Sequence, residues 1–204
     1  MYFNILGSRF TLREISSRFM RSIQSKLKQN EPVDRVAKET AAVAVVLKAK
    51  SGMRDEFLLI RRAERNGDPW SGQVAFPGGR VEPDDQSFAA TATRETSEEV
   101  GIDLTAKAEF LGYMGPLEPR NQRIQVVPAV FVLTGAVKVL PNHEVASHRW
   151  IPVVELHSGK DREEYTIESA ITHRAVPSFQ FGDYLVWGLT ERILTRLAEI
   201  TETT

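Results

Sequence analysis

The residues best suited to chemistry lie together in RETSEEVG, Arg94 to Gly101, where Glu95, Glu98 and Glu99 stand at positions i, i+3 and i+4. On a helix that spacing puts three carboxylates on one face. Like charges so placed repel one another and weaken a helix, unless a cation compensates them. Mg²⁺ or Mn²⁺ suits the task, because both prefer carboxylate oxygen and keep positions open for water and phosphate. Such ions clamp a diphosphate and activate water for attack on phosphorus. Taken alone, the spacing also describes a solvated acidic face. The preceding FPGG, Phe76 to Gly79, shifts the balance, since its glycine pair lets backbone groups approach a metal or phosphate without a Cβ in the way.

The elements that must position these groups are readable from pattern. Phe88, Ala92, Thr96 and Val100 form the inner row of a helix over Asp85 to Val100, with Asp84 or Asp85 as N-cap and Gly101 as its stop. Thr40 to Lys50 and Glu56 to Arg62 read as paired strands about a glycine-containing turn. Further strands are expected near Ala108 to Met114, Ile124 to Leu133 and His148 to Ile151, with short ones around Tyr165 and Ile171. A final helix is expected from about Tyr184, carrying Trp187, Leu194 and Leu197 inward. Leu12, Ile15, Phe19, Ile23 and Leu27 mark an N-terminal helix over Thr11 to Gln29 that docks on the domain. The fold class is α/β, a mixed sheet between helices with that extra N-terminal helix. Residues 1–35 read as helix and linker, and 36–204 as the main domain.

Composition narrows the partners. The 204 residues are 42% hydrophobic and 26% charged, a globular profile, and a net charge of −1 offers no field for nucleic acid or membrane. Without cysteine, thiolate metal sites and a Cys nucleophile are excluded. No apolar run spans a bilayer and no signal peptide opens the chain, so the cytoplasm is the expected compartment. The apolar stripe of the N-terminal helix suits a homodimer as well as a core. His143, His148, His157 and His173 lack metal-type spacing and read as surface or loop residues.

With its glycine pair, acidic cap and acidic helix in one segment, Gly79 to Ile102 resembles the signature of the Nudix hydrolases, GX5EX7REUXEEXGU, with Arg94, Glu95, Glu98, Glu99, Gly101 and Ile102 in register. One extra residue precedes the helix, so that Asp85 substitutes for the first Glu, and Thr96 replaces the aliphatic U. The resemblance implies that Glu95, Glu98 and Glu99 bind metal, with the Gly79 carbonyl as a further ligand. It also implies that Arg94 holds the acidic face by pairing with a neighbour. A later acidic residue serves the family as ligand or base; Glu144 is the candidate, against an ordinary loop glutamate.

Upstream, Leu58 to Gly79 resembles the extra motif of the coenzyme A diphosphatase branch, LLTXRSAX3RX3GX3FPGG, in Leu58, Leu59, Arg62, Ala63 and GX3FPGG from Gly72; the second Arg is missing or is replaced by Arg65, since counting back from Gly72 reaches Asp68. Arg61, Arg62, Arg65 and, in the loop Pro116 to Arg123, Arg120 are candidates for nucleotide phosphates, although one or more of the first three suits a strand-end surface. Phe76 and Trp70 are candidates for stacking on adenine or for burial. The resemblance implies a small-molecule nucleotide substrate, with coenzyme A or acyl-CoA first. Hydrolysis of ADP-ribose, NADH or NTPs and a non-catalytic binding module on the same fold stay open.

Overall fold

A computed structural model describes residues 2–5, 8–11, 21–29, 39–49, 55–68, 70–120, 123–158, 162–168 and 173–202. A mixed sheet forms its centre. Strands β3 (Thr40–Lys48) and β8 (Gln125–Leu133) run parallel in register from Thr40↔Gln125 to Lys48↔Leu133, and β7 (Ala108–Tyr113) pairs antiparallel with β8. On the other side β4 (Glu56–Arg62) meets β3 only at Leu47↔Phe57 and Lys48↔Glu56 before the two diverge. From there β4 is flanked by β9 (Val145–Pro152) and by the two-residue β5 (Val74–Ala75), while β6 (Gly78–Arg80) takes the vacated edge of β3 at Ala41 to Val43. That divergence carries the FPGG turn into the sheet.

Pleating sorts the strand side chains into two layers. Val45, Leu47, Phe57, Leu59, Val130 and Val132 face the helix α4 (Gly188–Thr201), where Ile193, Leu194 and Leu197 are buried. Ala42, Ala44, Val46, Leu58, Ile60 and Phe131 face the helix α2 (Phe88–Val100), packed by Phe88, Ala92 and Val100. Each large side chain so buried contributes about 1.5–3 kcal/mol. The short α3 (Leu104–Lys107) follows α2. A separate antiparallel sheet, β10 (Arg162–Glu168), β11 (His173–Phe181) and β12 (Tyr184–Trp187), leads into α4.

The expected layers are present, with local corrections. Ser87, not Asp84 or Asp85, caps α2, its hydroxyl accepting from the Ala90 N–H, and Gly101 closes the helix at φ 68°. Tyr184 to Trp187 is a strand: Gly182, at φ 63°, turns the chain so that Phe181 faces Tyr184 across a hairpin, and α4 begins only at Gly188. Trp187 therefore lies half-buried against Tyr165 and away from the helix core. The strands near Tyr165 and Ile171 are longer than expected, at seven and nine residues, with Ile171 itself outside the described residues. Thr11 belongs to a short antiparallel pair, β1 (Tyr2–Ile5) with β2 (Ser8–Thr11), that no periodicity indicated.

Of the expected N-terminal helix, residues 12–20 lie outside the described residues and 21–25 are helical, here called α1. Ile23 and Leu27 are buried with Leu111, Met114, Leu117 and the inner row of α4. The Lys26 ammonium donates to the carbonyls of Glu199, Ile200 and Glu202, the free acceptors where α4 ends. No described helix is long and apolar enough to cross a membrane.

Candidate active site

Arg94 organises the acidic face of α2. Its Nη1 donates to Glu95 Oε1 at 2.8 Å and to Glu98 Oε2 at 3.4 Å, so one guanidinium nitrogen joins two of the three carboxylates. Its Nε and Nη2 donate to the two oxygens of Asp85, at 3.2 and 3.0 Å, and Nη2 also reaches the Arg80 carbonyl. Asp85 is freed for this by Ser87 taking over the cap. Burial pushes the Asp85 carboxyl up, but hydrogen bonds from Arg94, the Glu82 N–H and Thr91 outweigh it, and the group stays below the ordinary carboxylate range. The loop Arg80 to Asp85 is thereby pinned to the helix that carries the glutamates.

Glu99 is the most buried of the three, at 2% exposure. Its Oε2 accepts from the Gly78 N–H at 3.0 Å, and its Oε1 lies 3.7 Å from Arg62 Nη1. Burial, with the charges of Glu95 and Glu144 adding to it, pushes the Glu99 carboxyl up to about 7 against the pull of Gly78 and Arg62. Burial also raises Glu95, with Arg94 opposing. Space is tight at both glycines, against backbone at Gly78 and against a side-chain end at Gly79. A Cβ on Gly79 would collide with the Glu95 carboxylate, and one on Gly78, at φ 158°, with the Ala42 carbonyl and Val43.

Glu144 arrives from the loop after β8. The Asn142 N–H donates to the Glu99 carbonyl and the Leu140 N–H to that of Val100, which ties this loop to the end of α2. The Glu144 N–H donates to Asn142 Oδ1, and the Glu144 carboxylate pairs with Arg65 Nη1 at 2.8 Å. Glu95, Glu98, Glu99, Gly79, Arg94 and Glu144 are thus brought into one region.

The expected substrate residues divide. Arg62 and Arg65 lie beside Glu99 and Glu144. Arg61, one residue from Arg62 on a pleated strand, points to the other layer: it donates to Asp183 and lies 4.7 Å from the centre of the Tyr184 ring. Of the three arginines, Arg61 is therefore the one that takes the strand-end role and leaves the phosphate group of candidates. Phe76 is likewise a core residue, 3% exposed and 6.3 Å from the Phe57 ring, so stacking on a base is not open to it. Arg120 is exposed in the loop before β8, and Trp70 is half-buried in a turn, its N–H donating to Asp68 Oδ1. His143, His148 and His157 are exposed as expected; the side chain of His173 lies outside the described residues. Sequence reasoning missed Asp68, which accepts from Arg62 Nη2 at 2.9 Å, because DPWSG reads as a plain turn.

Among the described residues no three acidic or histidine side chains stand close enough together to hold a metal ion as they are, with Arg94 lying between Glu95 and Glu98. The donor set still fits a hard divalent cation. Burial first, and then the neighbouring carboxylates, raise the proton affinity of Glu95 and Glu99, as befits anions not yet neutralised, and Gly79 has no Cβ to keep the Glu95 carboxylate from its backbone.

A family model described as the NUDIX domain matches residues 38–170. The chain belongs to this family and is a Nudix hydrolase. It is 37% identical over 145 residues to the Uncharacterized Nudix hydrolase NudL of Yersinia pestis (strain Pestoides F), covering 70% of this chain and 71% of that one. The protein of the same name in Yersinia pseudotuberculosis serotype O:1b (strain IP 31758) is equally similar. Among solved structures it is similar to a MutT/nudix family protein from Enterococcus faecalis, at TM-score 0.49 and 18% identity over 92% of this chain and 68% of that one. A C. elegans Ap4A hydrolase matches at TM-score 0.47 and 22% identity over 57% and 82%.

Proposed function

We propose that the chain is a Mg²⁺- or Mn²⁺-dependent diphosphatase whose first substrate is coenzyme A or an acyl derivative. The observation that carries the metal-dependent reading is the set Glu95, Glu98 and Glu99 on one helix face, with Glu99 buried against Gly78 and Glu144 brought to it from a separate loop. Glu95, Glu98, Glu99 and the Gly79 carbonyl hold the cation in this reading. When bound, it neutralises the diphosphate and acidifies water. Arg94 fixes Glu95 and Glu98 in place and anchors the loop at Asp85.

Glu144 is the general base in this reading, held by Asn142 and turned toward Arg65. A water oxygen joins one phosphorus, the bridging P–O bond breaks, and the water protons leave to the base and the solvent. Coenzyme A then yields 3′,5′-ADP and phosphopantetheine. The coenzyme A choice is supported by the motif from Leu58 to Gly79. Arg65 and Arg120 are the exposed guanidinium groups proposed for substrate phosphate.

The test is incubation of the protein with coenzyme A, ADP-ribose, NADH and dNTPs in Mg²⁺ or Mn²⁺, with Glu98→Gln as control and products resolved by mass. Coenzyme A cleavage lost in the variant supports the proposal. Cleavage of another compound alone removes the coenzyme A assignment and keeps the site, while cleavage of none favours a non-catalytic binding module.

A further inference from the structure

Arg62 shows an imbalance that phosphate binding does not explain. Its Nη2 donates to Asp68 at 2.9 Å, whereas its Nη1 stops 3.7 Å from Glu99 Oε1, beyond hydrogen-bond distance. Its Nε is buried without a hydrogen-bond partner among the described residues. A free guanidinium beside a carboxylate that is 3% exposed in its side chain closes to a forked pair, since that is the strongest arrangement open to both. Something holds it back.

Asp68 is built to do so. The Trp70 N–H fixes its Oδ1 at 2.9 Å, and the loop around it is closed by the Ser71 N–H on the Asp68 carbonyl, the Arg65 N–H on Ser71 Oγ and the Arg62 N–H on the Gln73 carbonyl. Burial raises the Asp68 carboxyl, but Trp70 and Arg62 outweigh this and keep it below its ordinary value, so it stays an anion. Glu99 is meanwhile held at its other oxygen by Gly78.

We infer that Asp68 is a positioning residue that holds Arg62 off Glu99, so that Arg62 orients the carboxylate without consuming the Oε1 lone pairs a cation needs. The inference rests on the proposed metal role of Glu99. It assigns the turn at DPWSG a part in cation affinity, and Arg62 a place behind the carboxylate instead of on the substrate.

The test is direct Mn²⁺ titration, reading free Mn²⁺ by electron paramagnetic resonance, on the wild-type chain, Glu98→Gln, Asp68→Asn, Arg62→Met and the Arg62→Met/Asp68→Asn pair. Asp68→Asn lets Arg62 close on Glu99, and is expected to weaken Mn²⁺ binding about 10-fold, the lower end for a residue behind a metal ligand. Removing Arg62 in that background is expected to recover most of the loss, which a general structural defect would not allow. Unchanged binding in Asp68→Asn, or no recovery in the pair, overturns the inference while wild-type binding and its loss in Glu98→Gln keep the metal reading. No Mn²⁺ binding by the wild-type chain overturns both.

Discussion

Two charge clusters flank the end of β4, and their difference separates a clasp from a site. On the α4 side, Arg61 and Arg149 both pair with Asp183, both lie over Tyr184, and Tyr184 shares a 2.8 Å hydrogen bond with Ser147. The cluster is open to solvent at its charged ends, and its charges answer one another. On the α2 side, Glu99 is buried, its proton affinity is raised, and its nearest cation is kept at 3.7 Å. Surface pairs of the first kind contribute little to stability. Buried and incompletely neutralised charge of the second kind costs stability, and is tolerated where function uses it.

The comparison predicts effects of very different size. Glu98→Gln is expected to lower kcat/KM at least about 100-fold, or about 2.7 kcal/mol of transition-state stabilisation, with the circular dichroism spectrum unchanged. If turnover survives, the acidic face is not the site. Gly79→Ala is next, because its Cβ meets the end of the flexible Glu95 side chain instead of backbone. An activity loss of about 10-fold with little change in melting temperature is expected, and the reverse pattern would make Gly79 a purely structural residue.

Asp85→Asn tests the scaffold of the site. It is expected to cost about 2 kcal/mol at neutral pH, the scale of a buried hydrogen bond to a charged group, read by urea denaturation. The folded Asp85 carboxyl lies below its unfolded value of 3.8, so its contribution is present above pH 3.8 and is lost as pH falls through the folded value. The two proteins should therefore converge in acid; a gap that is constant with pH would rule out the charge as its source. The smallest effect belongs to the clasp: Tyr184→Phe loses the bond to Ser147, with an expected cost of about 1 kcal/mol and unaltered kcat. A change in kcat would show the two clusters to be coupled.

Much of this was legible because it is local. The α2 inner row, its Gly101 stop and the glutamate spacing follow from the helical period, and β3, β4 and β8 from short apolar runs, rich in β-branched residues in β3 and β8. The N-cap was not legible, because Asp84, Asp85 and Ser87 are all good caps by type. Arg94, nine residues further on, takes Asp85 for itself and leaves the cap to Ser87. Tyr184 to Trp187 misled because an apolar run of four suits strand or helix, and only the turn at Gly182 decides. Phe76 and Arg61 were each left between two roles, because which layer a side chain joins depends on pairings made far along the chain. Asp68 stands where the upstream motif has its second Arg, which reads as a missing cation, and its meaning appears only when the turn folds back on Arg62.

The contact of Lys26 with the last carbonyls of α4 bears on where the chain can be cut. The NUDIX family match starts at residue 38, yet Ile23 and Leu27 are part of the same core as Leu111 and Leu194. A version trimmed to the family boundary would leave that apolar surface wet and the carbonyls of Glu199, Ile200 and Glu202 without their cation. Trimming there removes part of the protein's interior along with its beginning.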